Sequence, residues 1–270
     1  MKTGRYHQKY APSFPLNGMH SCASQTSKAT FLGRPWIPGH SYHSYGYDPV
    51  SRKMICTGHQ GMSFAFDPQD SSWTYKGLPK GMNYRNGFYT LTLTSTPGGI
   101  YAWTADKKLS LFKYDGKKDS WSAIEVKGLK LPGTRCDQSG MCYDAKRDRL
   151  LLTHAHIKRD LISIDLKTMI AKRFKPASLP EKIKAAKFFH RETCYDASND
   201  AMVIASYGRT WAVYDCKSNA WVGVDLAGSG CTGVSSGLMY DPNNKQLVVV
   251  DTNSKVSVLK LDMSKGRAMK

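Results

Sequence analysis

Several features that would assign this chain to a familiar class are missing from its 270 residues. It has no run of 18 apolar residues, which excludes a membrane-spanning helix by the usual length criterion. Residues 1–7 contain no apolar core segment and do not form a secretory signal. The sequence therefore gives no support for secretion and leaves the compartment open.

The usual signatures of cofactor and nucleophile chemistry are also missing. There is no phosphate-binding glycine loop, no nucleotide-binding fold and no Ser-His-Asp signature. We therefore predict no cofactor. Enzyme activity becomes the minority interpretation, because repeat folds of the kind described below carry catalysis and binding alike.

Acidic residues are scarce, with 21 Asp and Glu against 39 Lys and Arg, a formal net charge of +18. This balance favours anionic partners, while a basic surface that aids solubility is the alternative. Neither a basic helix nor a nucleic-acid-binding module accompanies the charge, so nucleic acid is not the predicted partner.

The seven cysteines form no CxxC pair, and an odd number cannot be fully paired within one chain. Cys142 and Cys194 stand just before a Tyr-Asp pair, where Gly46 and Met239 stand in other parts of the chain. This interchange with Gly and Met predicts a packing role for the two thiols.

The most informative pattern is a repeat. Aspartates recur at spacings of 48, 50, 50 and 47 residues, and in three copies a Trp follows six residues later. The aspartates are Asp67, Asp115, Asp165, Asp215 and Asp262, and the tryptophans are Trp73, Trp121 and Trp221. A second signature, Tyr-Asp, closes an earlier strand at Asp48, Asp144, Asp196 and Asp241.

Each period contains four short apolar runs without helical periodicity, flanked by Asp, Asn, Gly and Pro. Such runs predict strands, and four antiparallel strands every 47 to 50 residues predict one propeller blade. The recurrent Asp is expected to accept backbone N–H groups of its own turn. The Trp is expected to pack the outer strand onto the next blade and to serve the core, not ligand binding.

These residues resemble the kelch-type repeat, in which a strand, a glycine-marked second strand and Tyr-Asp-x-x-x-x-x-Trp follow in order. The resemblance covers about residues 40–270, and its glycine pair is reduced to Gly58 and Gly208. It implies an all-β propeller with the architecture of the galactose-oxidase central domain. No residue set matches that enzyme's copper site, so its activity is not implied.

The predicted repeat units are residues 39–80, 81–130, 131–180, 181–226 and 227–270, after an N-terminal segment of residues 1–38. The last unit shows no Trp-bearing fourth strand. Either the segment around Phe31 completes it and gives five blades, or the chain is part of a six- to seven-bladed ring.

The connections between blades, and those between second and third strands, differ from repeat to repeat, so a specific site is expected there. Arginines and histidines gather in these connections, and Arg grips carboxylate, sulfate or phosphate through paired hydrogen bonds. The candidate ligand-binding residues are His43, Arg85, Arg135, His154, His156, Arg191 and Arg209. For each one, a bridge between neighbouring blades is the alternative role.

The same connections contain residues for two other kinds of site. His154 and His156 lie two residues apart, on one side of an extended chain, but a metal needs a third ligand from His59 or His190, so no metal site is predicted. Asp137 and Glu192 are the candidate carboxylate pair for glycoside hydrolysis, although neighbouring arginines offer ion pairs instead.

The first hypothesis is a non-catalytic kelch-like propeller that binds a protein segment or an anionic glycan through its loop face. The second is a propeller enzyme acting on an acidic carbohydrate, with Asp137 or Glu192 as acid or base. The third is a scaffold module of a larger protein.

Overall fold

A computed structural model describes most of the chain from residue 45 onward, together with two earlier strands. The described residues are 19–22, 29–32, 45–57, 63–75, 92–105, 109–129, 139–154, 160–178, 180–181, 192–205, 210–227, 229, 231, 235–251 and 255–269. Every named element in these ranges is a β-strand. No helix long and apolar enough to cross a membrane occurs in them.

Consecutive strands pair antiparallel in groups of four, which we call blades 1 to 5. Blades 1 to 3 are separate four-stranded sheets, whereas blades 4 and 5 are joined into one eight-stranded sheet by a single parallel residue pair, Asp225 with Arg267. Blade 1 comprises β3 (Tyr45–Asp48), β4 (Lys53–Thr57), β5 (Ser63–Asp67) and β6 (Ser72–Tyr75). Blade 2 comprises β7 (Thr92–Thr96), β8 (Gly99–Ala105), β9 (Leu109–Asp115) and β10 (Ser120–Ile124). Blade 3 comprises β11 (Ser139–Asp144), β12 (Arg149–His154), β13 (Leu161–Asp165) and β14 (Ile170–Phe174).

Blade 4 comprises β15 (Glu192–Asp196), β16 (Ala201–Ala205), β17 (Thr210–Asp215) and β18 (Ala220–Asp225). Blade 5 comprises β19 (Ser235–Asp241), β20 (Gln246–Asp251), β21 (Val256–Asp262) and β22 (Arg267–Met269). The protein is therefore all-β and built from propeller-like blades, as the repeat predicts.

The fourth strand of blade 5 is not supplied by the segment around Phe31, which was one of the two sequence-based alternatives. Strand β22 comes from the end of the chain and pairs with β21, so residues 267–269 take the fourth place. The segment around Phe31 forms β2 (Ala29–Leu32), which pairs with β1 (Met19–Cys22) in a separate two-stranded sheet. Because β22 is only three residues long and has no Trp, it lacks the signature that marks the other outer strands.

An aspartate closes the strand before nine of the tight turns in the described ranges. Its carboxylate accepts hydrogen bonds from backbone N–H groups two or three residues on; Asp115, for example, accepts them from Lys117 and Lys118 at 3.0 and 3.3 Å. The residue four places after each of these aspartates has a positive φ between 48° and 59°. The carboxylate stabilises the turn while that residue reverses the chain direction, which confirms the predicted role of the Asp.

The Tyr before such an aspartate often binds the residue with positive φ. The hydroxyls of Tyr143 and Tyr195 donate to Asp148 and Asp200 at 3.0 and 2.7 Å. Asp and Asn tolerate this backbone region better than most residues. Blade 2 replaces the first Asp turn with Thr96, whose hydroxyl accepts the Gly98 N–H at 3.2 Å.

The two surfaces of a blade carry different residues. In blade 4, one surface bears a row of large residues across all four strands, which we call the aromatic face: Tyr195, Met202, Tyr214 and Trp221. The other bears small and branched residues, which we call the aliphatic face: Cys194, Val203, Val213 and Val222. The same names apply to the corresponding positions of the other blades.

The aromatic face packs on the preceding blade. In blade 4, Trp221 is buried in a cluster with Cys142 and Leu151 of blade 3, while Val213 on the aliphatic face packs with Leu247 of blade 5. The prediction that the Trp packs onto the next blade is therefore wrong. Strand alternation puts Tyr and Trp on one face but does not say which neighbour covers that face. The predicted core role of the Trp is met in blade 4.

The chain divides into two units, one formed by Met1–Ala102 and Phe112–Ile124 and the other by Trp103–Leu111 and Glu125–Lys270. In the first unit, Ile55 and Ala65 of blade 1 pack with Ile100 and Tyr114 of blade 2. In the second unit, the largest cluster of buried side chains joins blades 4 and 5.

In the second unit, backbone hydrogen bonds also tie the end of one blade, or the segment that follows it, to the outer edge of the next blade. Lys127, which follows β10, donates to Met169, just before β14, at 2.9 Å and accepts from Ala171, within β14, at 2.8 Å. Ser178, which follows β14, accepts from Trp221 at 3.1 Å, and Asp225 donates to Gly266 at 2.8 Å. Each segment covers an edge strand whose backbone groups would otherwise be open to another chain.

We expect Gly116→Ala to lower the free energy of unfolding by about 1–3 kcal/mol. A Cβ at Gly116 would lie 1.8 Å from Asp48 Oδ2 and 2.9 Å from the Ser51 backbone nitrogen, so the turns of blades 1 and 2 would have to separate. Gly98→Ala is the control, because its nearest atom is the flexible Lys113 Nζ at 3.6 Å. Denaturant unfolding measures both; equal stability of the two variants would contradict the close approach.

Candidate functional site

The antiparallel order gives each blade two distinct ends. The turns that join the first to the second strand and the third to the fourth lie at one end, which we call the turn end. The connection from second to third strand, and the connection to the next blade, leave from the other end, which we call the loop end. The repeated aspartates lie at the turn end, and the candidate site residues belong to connections at the loop end.

A cluster of charged residues joins the turn ends of blades 3 and 4. Arg147 donates from Nη1 and Nη2 to the two carboxylate oxygens of Asp200, at 2.7 and 2.9 Å. The same Nη1 lies 3.1 Å from Asp144 Oδ2, to which Arg149 Nε also donates at 2.8 Å. Asp144 is fully buried, so its charge needs these two guanidinium partners.

The cluster shifts the pKa values of its members. Hydrogen bonds from Arg147, and then from Tyr195, hold the pKa of Asp200 well below its usual range, and Asp200 in turn raises the pKa of Arg147. Burial, followed by the Asp200 hydrogen bond, raises the pKa of Tyr195. Lys146 Nζ also lies 3.3 Å from Asp200 Oδ2, so three cations surround the two carboxylates. Because these contacts link residues of blades 3 and 4, the cluster serves to join the two blades.

The turn ends of other blades are also used for assembly. Asn199 Nδ2 donates to Asp196 at 2.7 Å and to the Leu261 carbonyl of blade 5 at 3.2 Å. Tyr240 of blade 5 donates to Ser198 Oγ at 3.2 Å. Because these contacts occupy the turn carboxylates and their neighbours, the turn end is a structural region of the blades.

Of the thiols whose side chains the structure describes, Cys142, Cys194, Cys216 and Cys231 are buried and Cys56 is partly buried. Cys142 and Cys194 lie in the clusters between blades, and burial raises their pKa values well above the ordinary value of a thiol. Burial also raises the pKa of Cys56 and of Cys216 to about 12. A thiol that stays protonated is a poor nucleophile and metal ligand, which agrees with the packing role that the sequence predicts.

At the loop end of the second unit, Glu192 is the one candidate residue whose side chain the structure describes. It is the first residue of β15, pairs with Ala205 across the sheet and is only 4% exposed. Its neighbour Thr193 donates to the Met141 carbonyl of blade 3 at 3.1 Å. Glu192 is therefore a buried carboxylate where blades 3 and 4 meet.

The other predicted site residues are placed only by their position along the chain. His154 ends β12 and pairs with Ser139, the first residue of β11. The remaining candidates lie outside the described residues: His43, Arg85, Arg135, Asp137, His156, Arg191 and Arg209. Arg135 and Asp137 precede β11, Arg191 precedes β15, and Arg209 precedes β17. No grouping of three metal-ligating side chains occurs within the described ranges.

Positive charge is concentrated in the loop-end connections. From residue 58 onward, the segments between second and third strands and between blades hold 17 Lys and Arg against five Asp and Glu, a net +12 of the total +18. The strands and turns from residue 45 onward, with Lys270 included, hold 17 Lys and Arg against 16 Asp and Glu. The repeated framework is thus almost neutral, and the connections at its loop ends are strongly basic.

The sequence interpretation missed the Arg147–Asp200 contact. Aligning the turns on their aspartates would have shown an Arg at the third position after Asp144 and an Asp at the fourth position after Asp196. That these two turns face each other follows only from the stacking of blades 3 and 4, since the partners lie 53 residues apart.

Comparison with known proteins gives a likeness of fold. No protein-family model matches this chain, and no curated protein does. Among solved structures, the chain is similar to a structural-genomics protein of unknown function from Bacteroides thetaiotaomicron, with 11% identity and a TM-score of 0.57. The match covers 86% of this chain and 62% of the other protein, so this chain spans less than two thirds of the length of that protein. The kelch type of the repeat remains a prediction.

We expect Asp200→Asn to lower the free energy of unfolding near neutral pH by about 2 kcal/mol, since a charged hydrogen-bond partner of Arg147 is lost. The folded pKa of Asp200 is depressed, so its stabilisation is present above the unfolded pKa of about 3.9 and is lost as the pH falls below it. The difference between wild type and variant should therefore shrink on acidification.

Chemical unfolding at pH 7 and at pH 3 measures this effect. Asp70→Asn removes a carboxylate from an exposed turn of blade 1 and should change the stability much less. A stability difference for Asp200→Asn that is equally large at both pH values would contradict the assigned ion pair.

Proposed function

We propose that this protein binds an anionic partner, an acidic protein segment or an anionic glycan, through the connections at the loop ends of its blades. The observation that carries the proposal is the separation of charge along the blades. The strands and turns are almost neutral, whereas the loop-end connections hold a net +12. A surface with one sign of charge attracts and orients partners of the other sign.

The repeated aspartates at the turn end are engaged in contacts of their own. Most of the described ion pairs involve a turn aspartate, as with Lys53–Asp67 at 3.4 Å and Lys265–Asp262 at 3.4 Å. These carboxylates are held by their own turns, at the end of each blade opposite to the one from which its own connections leave. The basic residues of the connections therefore have few acidic neighbours along the chain.

Arginines within the connections supply geometry as well as charge. Arg135, Arg191 and Arg209 stand shortly before strands β11, β15 and β17 of the adjacent blades 3 and 4. A guanidinium group can donate two parallel hydrogen bonds to one carboxylate, sulfate or phosphate group. Binding through such pairs would be more resistant to salt than the general attraction of a basic surface.

We expect the triple variant Arg135→Ala, Arg191→Ala and Arg209→Ala to weaken binding of a sulfated oligosaccharide or a polyglutamate peptide by at least about tenfold, because charged hydrogen bonds contribute about 1.5–3 kcal/mol each. The matched control removes three exposed lysines from the same two blades, with Lys167→Ala, Lys172→Ala and Lys217→Ala. Both variants lose three positive charges.

Isothermal titration at low and at physiological salt, with circular dichroism as a check of folding, distinguishes the outcomes. Loss of affinity in the arginine variant alone supports binding at the loop ends. An equal loss in both variants would mean that only net charge attracts the ligand, and the proposal would then be wrong.

The burial of Glu192 favours a second candidate, an enzyme that acts on an acidic carbohydrate. A carboxyl group that is 4% exposed, placed where two blades meet at the loop end, is suited to acid or base chemistry on a substrate bound by the neighbouring arginines. Its proposed partner Asp137 belongs to the connection before β11. The pair would have to flank the scissile bond.

Under this second function, Glu192→Gln should abolish hydrolysis of acidic oligosaccharides while their binding is retained, since the amide keeps the shape but loses the transferable proton. Glu125→Gln, an exposed change in the same unit, is the control. Product release followed by chromatography provides the measurement. Wild-type protein that releases no product from uronic-acid or sulfated oligosaccharides would rule out this candidate.

A further inference from the structure

The turn end of blade 1 contains a buried carboxylate with few partners among the described residues. Asp48 is fully buried, and its Oδ2 accepts the Ser51 backbone N–H at 2.7 Å. Its Oδ1 is buried as well and accepts no hydrogen bond from the part of the chain that the structure describes. A buried carboxylate is stable only when its charge is balanced and its oxygens are bonded.

The corresponding aspartates of other blades show how this requirement is met. Asp144 of blade 3 is equally buried, and the side chains three and five places later, Arg147 and Arg149, bind its Oδ2 at 3.1 and 2.8 Å. In blades 4 and 5, an Asn side chain three places later binds Oδ2 of Asp196 and of Asp241, each at 2.7 Å. A side chain from the third place therefore bonds the second carboxylate oxygen in all three blades.

In blade 1 these two places supply no positive charge to Asp48. The third residue after it is Ser51, whose hydroxyl oxygen is buried and has no hydrogen-bond partner within the described ranges. The fifth is Lys53, whose Nζ lies 3.4 Å from Asp67 Oδ2 at the other turn of the blade. Two buried oxygen atoms of one turn, Asp48 Oδ1 and Ser51 Oγ, thus share the same need for a partner.

The backbone of blade 2 lies against this carboxylate. Gly99 has a φ of +121°, and a Cβ built on it would lie 2.7 Å from the Tyr114 carbonyl oxygen and 3.7 Å from Asp48 Oδ1. A Cβ on Gly116 would lie 1.8 Å from Asp48 Oδ2. The space beside Gly99 is therefore bordered by a carbonyl oxygen and by the carboxylate. All of these residues belong to the first unit of the chain.

We propose that Asp48, together with the Ser51 hydroxyl and the Tyr114 carbonyl, binds an alkali-metal cation, Na⁺ or K⁺, between the turns of blades 1 and 2. Carboxylate, hydroxyl and carbonyl oxygens are the ligands that hard cations take in proteins. One carboxylate leaves one negative charge to balance, which favours a monovalent ion. The ion balances the charge of Asp48 as Arg147 and Arg149 balance that of Asp144 in blade 3.

Lys113 of blade 2 is the other source of positive charge near this turn. Its Cε lies 3.7 Å from the Cβ position at Gly99, while its Nζ stands over the Tyr101 ring, 5.5 Å from the ring centroid. An ammonium group in that position is attracted by the ring. It donates no hydrogen bond to Asp48 Oδ1. The experiment therefore includes a variant that removes this lysine.

Thermal unfolding in sodium, potassium and choline chloride at equal ionic strength tests the site. Choline carries the same charge but is too large for a space the size of one methyl group. An ion that binds only the folded chain stabilises it by mass action, so each tenfold rise in Na⁺ or K⁺ at the expense of choline should raise the Tm by about 2–4 °C.

Four variants assign the effect to the turn of blade 1. Asp48→Asn removes the charge and should abolish the cation dependence. Ser51→Arg supplies a guanidinium at the place that Arg147 has in blade 3, so its Tm should be independent of the cation and at least as high in choline as that of the wild type. Lys113→Met and Asp70→Asn, the latter a loss of an exposed carboxylate in the same blade, should keep the wild-type dependence.

Four results would overturn the proposal. A wild-type Tm that is equal in the three salts shows that no alkali-metal ion binds the folded chain. A dependence that persists in folded Asp48→Asn, or in Ser51→Arg, places the ion elsewhere. A rise with Ca²⁺ alone shows a divalent site. A dependence that appears only after Lys113→Met shows that the lysine balances the charge of Asp48.

Discussion

Each blade depends on the hydrogen bonds that a turn carboxylate accepts from its own backbone. Where Asp115, Asp144 or Asp196 closes a strand, the bonds fix the next three residues, and the fourth takes a positive φ that sends the chain back antiparallel. A shift of the strand pairing by one residue would move every apolar side chain of that strand to the opposite face of the sheet. The turns therefore also decide which residues reach the neighbouring blade.

Stacking of the blades builds on this register. Because Tyr195, Met202, Tyr214 and Trp221 share one face, that face fills the space over Cys142 and Leu151 of blade 3. The turn ends then meet closely enough for Arg147 to bind Asp144 and Asp200 together. Assembly thus occupies the turn ends and the sheet faces, while the connections from the loop ends hold most of the excess positive charge of the sequence.

The repeat made the fold predictable, because the Tyr-Asp and Trp signatures each fix a turn or a strand independently of the others. The direction of stacking was not predictable, since alternation gives Trp221 a face but not a neighbour. The candidate site is harder still. Arg135 and Arg191 stand in connections whose sequences differ from repeat to repeat, so only His154, which ends a strand, and Glu192, which begins one, are placed by the framework itself.

The hydrogen bonds between outer edges have a consequence for how the protein is made. Lys127 precedes blade 3 in the chain yet binds beside β14, its last strand, and Ser178 precedes blade 4 yet binds Trp221 on β18. During synthesis from the N-terminus, the backbone that receives each final strand has already left the ribosome. The last strand of each new blade in this part of the chain can therefore pair at once with a segment that is already synthesised. This shortens the time during which its unpaired backbone groups can bind other nascent chains.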